Sequence, residues 1–261
     1  MEFKTIGYAI GGGIARVTLN RPERLNALTL EMIGELQHAL GLAASAQPVV
    51  RALQITGAGR GFSSGHDLAS PRKAYPDDPR EPLRDYYMPL IQMLRTLPFP
   101  TVAVVNGACA GAGMGIALAC DLVIAARSAY FLPAFVNMGL VPDSGVSGLL
   151  ASRIGEARAT ALLMLGERFS AEDAAAWGLV WQCVADEQLA DAAGALLDKF
   201  ANGPTQTYAA IKRLMRTATS NPLQVQMQAE ADAQATIRLS ADSQEAKRAF
   251  LERRKPEFTG L

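Results

Sequence analysis

The chain has 261 residues, 49% of them hydrophobic, with 25 acidic and 25 basic side chains that cancel. Such a length and apolar content suit one large α/β unit or a core with a small appendage, and they exclude a disordered chain. Zero net charge removes any global field that would recruit nucleic acid or an anionic membrane.

In chain order, residues 6–10 and 14–20 flank Gly11-Gly12-Gly13 and predict a hairpin, stopped by Asn20-Arg21-Pro22. Thr29 then caps a helix through Ala44, with Leu30, Ile33, Leu36, Gln37 and Leu40 at helical spacing. A strand is expected over 49–56, followed by the small-residue loop Gly57-Ala58-Gly59-Arg60-Gly61 leading into FSSGHDL. Residues 70–85 are proline-rich and charged, and read as a surface loop or lid. A helix is predicted over 86–97, and short strands over 122–126 and 129–132. From residue 144 onward the pattern is helical: 145–154, 156–165, 171–177, 187–201, 204–219, 222–239 and 242–254, with one strand near 179–184. Two strand, glycine loop, helix units in series predict parallel crossovers. Asn202-Gly203-Pro204 marks a boundary near 200, dividing a core (1–200) from a helical region (201–261) whose amphipathic faces need a partner.

Cys109, Cys120 and Cys183 are odd in number and lie in apolar surroundings, which predicts buried reduced thiols in a cytosolic protein. Two histidines, His38 and His66, and no C-x-x-C pair offer no zinc ligand set, so no metal is expected. The segment MEFKTIGYAI has no basic-then-apolar leader pattern, and a cytoplasmic location is expected.

Thr101 to Asp121 is the most informative stretch. A β-branched run ends at Asn106-Gly107, and six small residues lead into an apolar helix-compatible segment. Small residues admit a ligand to bare backbone, and the helix start aims unpaired N–H groups at a negative oxygen. An oxyanion hole is built this way. Gly61-Phe62-Ser63-Ser64-Gly65 matches the G-x-S-x-G nucleophile elbow, but no histidine follows His66 to complete a hydrolase triad. Gly111 to Gly115 lacks the dinucleotide and P-loop spacings and is equally compatible with close helix packing. His38 reads as a structural helix residue. Asp143 precedes a predicted helix, where spacing alone favours an N-cap over a proton-carrying carboxylate.

Taken together, NRPERLNAL (20–28), GAGRGFSSGHDL (57–68), VNGACAGAGMGIALACDLVIAA (105–126), FVNMGLVPDSG (135–145), AAAWGLV (174–180) and AFLERRKPEF (249–258) resemble the crotonase, or enoyl-CoA hydratase/isomerase, superfamily. The IAARSA, GLVPD and PEFTG stretches are similar to its ring-epoxide isomerase branch. The resemblance implies a crotonase-like ββα spiral core with a C-terminal helical region, assembly as a homotrimer or hexamer, and an acyl-CoA substrate. No separate cofactor is implied, because coenzyme A arrives with the substrate. It implies that backbone N–H groups of His66 and Ala112 hold the thioester oxygen. Arg24, Leu25, Ser64, Gly65, Asp67 and Leu68 match stretches that line the coenzyme A moiety.

The departures are informative too. Hydratases of the family carry glutamates at the positions of Gly115 and Phe135, so the water-activating pair is missing here. Asp143 matches the working aspartate of several isomerases in the superfamily, which reverses the N-cap preference. The expected reaction is an α-proton abstraction, enolate stabilisation and remote reprotonation, on a ring epoxide or a 3-enoyl ester. Phe135, with Phe131, Tyr86 and Tyr87, is expected to form an apolar wall, with plain core or interface packing an equal reading for the two tyrosines. A hydratase with non-standard residues, and a non-catalytic CoA-ester or RNA-binding relative, stay open as alternatives.

Overall fold

The computed structural model describes residues 3–46, 49–70, 77–78 and 80–261. Strands β1 (Ile6–Gly11) and β2 (Ile14–Leu19) pair antiparallel, and Gly12 and Gly13 take φ of +59° and +72° in the two-residue turn. Helix α1 (Leu30–Ser45) starts as expected: the Thr29 hydroxyl accepts from Met32 N–H, and Met32, Ile33, Leu36 and Leu40 face inward.

Then follow β3 (Ala52–Gly57), β4 (Gly61–Ser63), α2 (Met88–Thr96), β5 (Thr101–Val105), β6 (Ala108–Ala110) and α3 (Ala112–Ala119). Strands β7 (Leu122–Ala126) and β8 (Tyr130–Leu132) come next, then α4 (Val146–Ile154), α5 (Glu156–Leu165), β9 (Phe169–Ser170), α6 (Ala171–Ala176), β10 (Gln182–Val184) and α7 (Leu189–Ala201). Helices α8 (Thr205–Met215), α9 (Leu223–Ile237) and α10 (Ala241–Leu251) complete the chain.

The strands form a six-stranded sheet in the order β1-β2-β3-β5-β7-β10 and a four-stranded sheet in the order β4-β6-β8-β9. Strands β2, β3, β5 and β7 are parallel neighbours, and each of β3, β5 and β7 runs on into a short strand of the second sheet. The result is a ββα spiral, the crotonase-like architecture. Its corners admit no side chain: a β-carbon on Gly57 would overlap the Gly61 carbonyl oxygen, and one on Gly107 the Arg60 carbonyl oxygen. Every residue of α3 is buried, which accounts for its unbroken apolar sequence.

Several polar side chains tie the C-terminal helices back to the spiral, among them Arg51, which donates to Thr205 Oγ1 and to the carbonyls of Gly203 and Phe258. Lys212 of α8 donates to the carbonyls of Leu94 and Phe99 and pairs with Asp121. In α9 only Gln226 is buried, and on α10 Phe250 and Leu251 are 82% and 72% exposed. Among the described residues no helix is long and apolar enough to cross a membrane.

Several expectations shift. Residues 71–76 and 79 of the anticipated 70–85 loop lie outside the described residues, and Pro82–Tyr87 is not loop but a π-helical turn leading into α2. The small residues 108–110 form β6 before α3 begins. The strand near 179–184 is confined to 182–184, and the 204–219 helix stops at Met215. Cys109 and Cys120 are buried free thiols, while Cys183 is half-buried.

Candidate active site

Two loops meet at the C-terminal ends of β4 and β6. The first is fixed by two asparagines. Asn26, fully buried, donates to the carbonyls of Ala58 and Gly61, and Asn106 donates to those of Gly57 and Gly59. Further along, Leu28 N–H donates to Gly65 O and Asp67 N–H to Leu28 O. That alternation turns the His66 N–H to the side away from Leu28.

The second loop ends at Gly111, whose φ of +49° opens α3. The first intrahelical donor is Met114 N–H, bonded to Gly111 O at 3.0 Å, so the Ala112 N–H belongs to the first turn, where a helix offers no acceptor of its own. Gly65 joins the loops: at φ +90°, a β-carbon there would stand 2.9 Å from Ala110 O and 3.5 Å from Ala112 N. Gly113 is held as closely to the first loop, because its β-carbon would lie 2.8 Å from that of Ser63.

A cavity of about 570 Å³ opens beside this junction. Of the residues singled out by sequence, Ser64, Gly65, His66, Leu68, Tyr87, Ala112, Phe135 and Asp143 line it. Pro82, Leu83, Met138, Leu140 and Val141 extend its apolar wall. Periodicity had given no reason to select them, since their segments carry no regular pattern.

The other residues singled out by sequence lie outside this cavity. Tyr86 turns away and packs on the core, its carbonyl accepting from Gln37. Phe131 is fully buried and stacks on Phe169. Asp67 does not line the cavity: it binds Arg21 at 2.8 Å and the Ala69 N–H at 3.0 Å. Arg24 and Leu25 do not line it either; their carbonyls accept from the Ser64 hydroxyl and the Ser64 N–H. Ser63 is no exposed nucleophile, being fully buried and donating to Asn26 O at 2.9 Å.

Asp143 is not an N-cap. Gly145 takes the cap position of α4 with no side-chain bond, and the Asp143 carboxylate accepts instead from the Ser144 hydroxyl at 2.9 Å. Burial in the apolar cavity lifts the Asp143 carboxyl above its ordinary range, against the Ser144 hydrogen bond and the His66 charge, which pull it down. Burial also pushes the His66 imidazole below its ordinary value, opposed by the charges of Asp143 and Asp67. Its Nδ1 lies 2.8 Å from the Tyr87 hydroxyl.

Gly115, where the hydratase glutamate would stand, is not an open position. A β-carbon there would lie 2.6 Å from Ser144 Cβ and 2.7 Å from Ser144 O, so the loop carrying Asp143 rests directly on α3. Ser144 holds a φ of +50°, which a residue with a β-carbon rarely adopts. Ser144 too went unselected by sequence, and PDSG carried one signal for it, a serine before glycine directly after the candidate aspartate.

The enoyl-CoA hydratase/isomerase family profile matches residues 9–261. The chain is 44% identical to the 1,2-epoxyphenylacetyl-CoA isomerase of Escherichia coli over 252 residues, 95% of each chain. It is 43% identical to a Rhodobacter capsulatus protein named "Probable enoyl-CoA hydratase", over the whole of both chains. The crystal structure of an enoyl-CoA hydratase from Mycobacterium smegmatis superposes with a TM-score of 0.90 at 30% identity, covering 98% of this chain and 99% of that one.

Proposed function

This chain belongs to the enoyl-CoA hydratase/isomerase family, and from that premise we propose that it isomerises a CoA thioester with Asp143 as its single proton carrier. The carrying observation is that the Asp143 carboxyl lines an apolar cavity together with His66 and Ala112, while Ser144 fills the space over Gly115.

The Asp143 carboxylate takes an α-proton from the thioester. The C–H electron pair moves toward the carbonyl, and the enolate oxygen is held by the backbone N–H groups of His66 and Ala112. The protonated Asp143 then returns its proton at a remote carbon. For a 3-enoyl ester this moves the double bond to position 2. For 2-(1,2-epoxy-1,2-dihydrophenyl)acetyl-CoA the bond between the two epoxide carbons opens electrocyclically to give the seven-membered oxepin, and the same shuttle moves an α-proton to a ring carbon, leaving an exocyclic double bond at the α position, a step of phenylacetate catabolism. Neither conversion consumes water, and the apolar wall of Phe135, Leu83 and Leu140 is suited to keeping it out. Coenzyme A comes as part of the substrate and no further cofactor is needed. Trimeric or hexameric assembly through the exposed apolar residues of α9 and α10 and a cytoplasmic location complete the reading.

The test is incubation of the protein in deuterated water with the ring-epoxide ester and with 3-hexenoyl-CoA, in parallel with crotonyl-CoA. Label at the α and remote carbons of either of the first two supports the reading. Rapid hydration of crotonyl-CoA without such exchange overturns it.

A further inference from the structure

Asp143 sits on a loop, and loops alone do not hold a carboxylate to the tolerance that proton transfer demands. The structure supplies a fixed point one residue away. Ser144 and Gly145 take φ of +50° and +75°, two left-handed residues in succession, of which only the glycine is at ease. The turn presses the Ser144 β-carbon and carbonyl onto Gly115, in the middle of the fully buried α3. It also aims the Ser144 hydroxyl at Asp143 Oδ1, 2.9 Å away. Gly115 lies three residues beyond Ala112, hence on the same face of the helix. The element that presents the Ala112 N–H therefore also seats the turn that carries Asp143.

We infer that Ser144 is a positioning residue for the reaction: its strained backbone, seated on Gly115, registers Asp143 against α3, and its hydroxyl occupies Oδ1 so that Oδ2 faces the substrate. The inference rests on the proposed role of Asp143. The charged and titratable groups around this carboxylate are few. His66 faces it across the cavity, Tyr87 is bonded to His66, and Asp67, held by Arg21, lies behind. The hydroxyl donor favours the ionised carboxylate, and losing it leaves burial unopposed except by His66.

The test compares Ser144→Ala, which removes the hydroxyl and keeps the β-carbon, with Ser144→Gly, which removes both and relieves the backbone. Deuterium exchange into 3-hexenoyl-CoA is followed against pH, with Asp143→Asn as reference and thermal midpoints recorded. Both serine variants should move the acid limb of kcat/KM upward by about one pH unit, the size expected for a lost hydrogen bond to a charged group. The plateau kcat should fall roughly tenfold, with KM changed by less than about twofold. A parental pH profile in Ser144→Ala, with Asp143→Asn silent, overturns the Ser144 assignment alone. Parental exchange by Asp143→Asn overturns both this inference and the reading beneath it. A folding defect in Ser144→Ala is recognised by its thermal midpoint, and Ser144→Gly then carries the comparison, since it removes the hydroxyl without backbone strain.

Discussion

Arg21 and Asp67 are 46 residues apart in sequence, and their charged groups meet at 2.8 Å. Arg21 also donates to Ala27 O, so one guanidinium ties the 20–28 segment to the loop that carries Gly65 and His66. Burial raises the Asp67 carboxyl, but the Arg21 bond, the Ala69 N–H and the charges of Arg21 and Arg24 outweigh it and hold the group below its ordinary value. A carboxyl lowered by folding contributes stability above its unfolded pKa and loses it as pH falls through the folded one. Asp67→Asn should cost about 1–2 kcal/mol at pH 7 in urea unfolding, a deficit that shrinks in acid. An equal deficit at pH 3 would place its origin in packing, not charge.

The linkage at Asp143 has the opposite sign. Its folded carboxyl is raised, so the native state loses stability as pH climbs through that value. Asp143→Asn should therefore melt higher than the parent at pH 7.5, with a gap that closes at pH 4. Its α-proton exchange should drop by about a thousandfold while CoA-ester binding persists. Scanning calorimetry at the two pH values, beside the exchange assay, reads both halves.

Gly115→Ala forces Ser144 to move, because the added carbon would stand 2.6 Å from Ser144 Cβ. The expected cost is about 1–3 kcal/mol of stability from overpacking, with exchange activity reduced roughly tenfold to a hundredfold through misplacement of Asp143. Gly115→Glu should be worse on both counts and should not hydrate crotonyl-CoA. Gain of hydration by that single change would show that the loop yields freely.

Lys212 is 7% exposed at its side chain and bonds Asp121, Leu94 O and Phe99 O. Lys212→Met leaves Asp121 without its cation and two carbonyls without a donor, for an expected loss of about 3 kcal/mol. Adding Asp121→Asn should recover part of it, so the double variant falls short of the sum in chemical denaturation.

Phe250 and Leu251 project from α10 at 82% and 72% exposure. Replacing both by aspartate should reduce the particle mass measured by light scattering to that of a monomer, while leaving the far-ultraviolet spectrum of the chain in place. A multimeric mass unchanged by the substitutions would exclude this face from the proposed assembly, and a monomeric mass in the parent would overturn the assembly itself.

Much of this molecule could be read from its residues. Regular spacing disclosed α1 and its Thr29 cap, and the glycine runs disclosed the hairpin and both loops of the site. What escaped has physical causes. Tyr86 and Tyr87 are neighbours on a helical turn and so point to different sides of it; one alone reaches the cavity, and nothing in an adjacent pair says which. The helical start at Pro82 hides behind charge and proline, which ordinarily signal loop. The pairing of Asp67 with Arg21 spans segments distant in sequence, and no local pattern announces it. The contact of Ser144 with Gly115 joins segments from different turns of the spiral, and local pattern cannot reveal such pairs.

That contact also constrains how such a protein can change over generations. A carboxylate arriving at 115 finds Ser144 in its place and displaces it, and a change at 144 by itself gives up the hold on Asp143. If Asp143 and Ser144 act as proposed, each substitution would be harmful while its counterpart is unaltered, and descent from this chain toward water addition would cross a two-step valley. A small residue over a small gap thus preserves an inherited chemistry more firmly than either position would on its own.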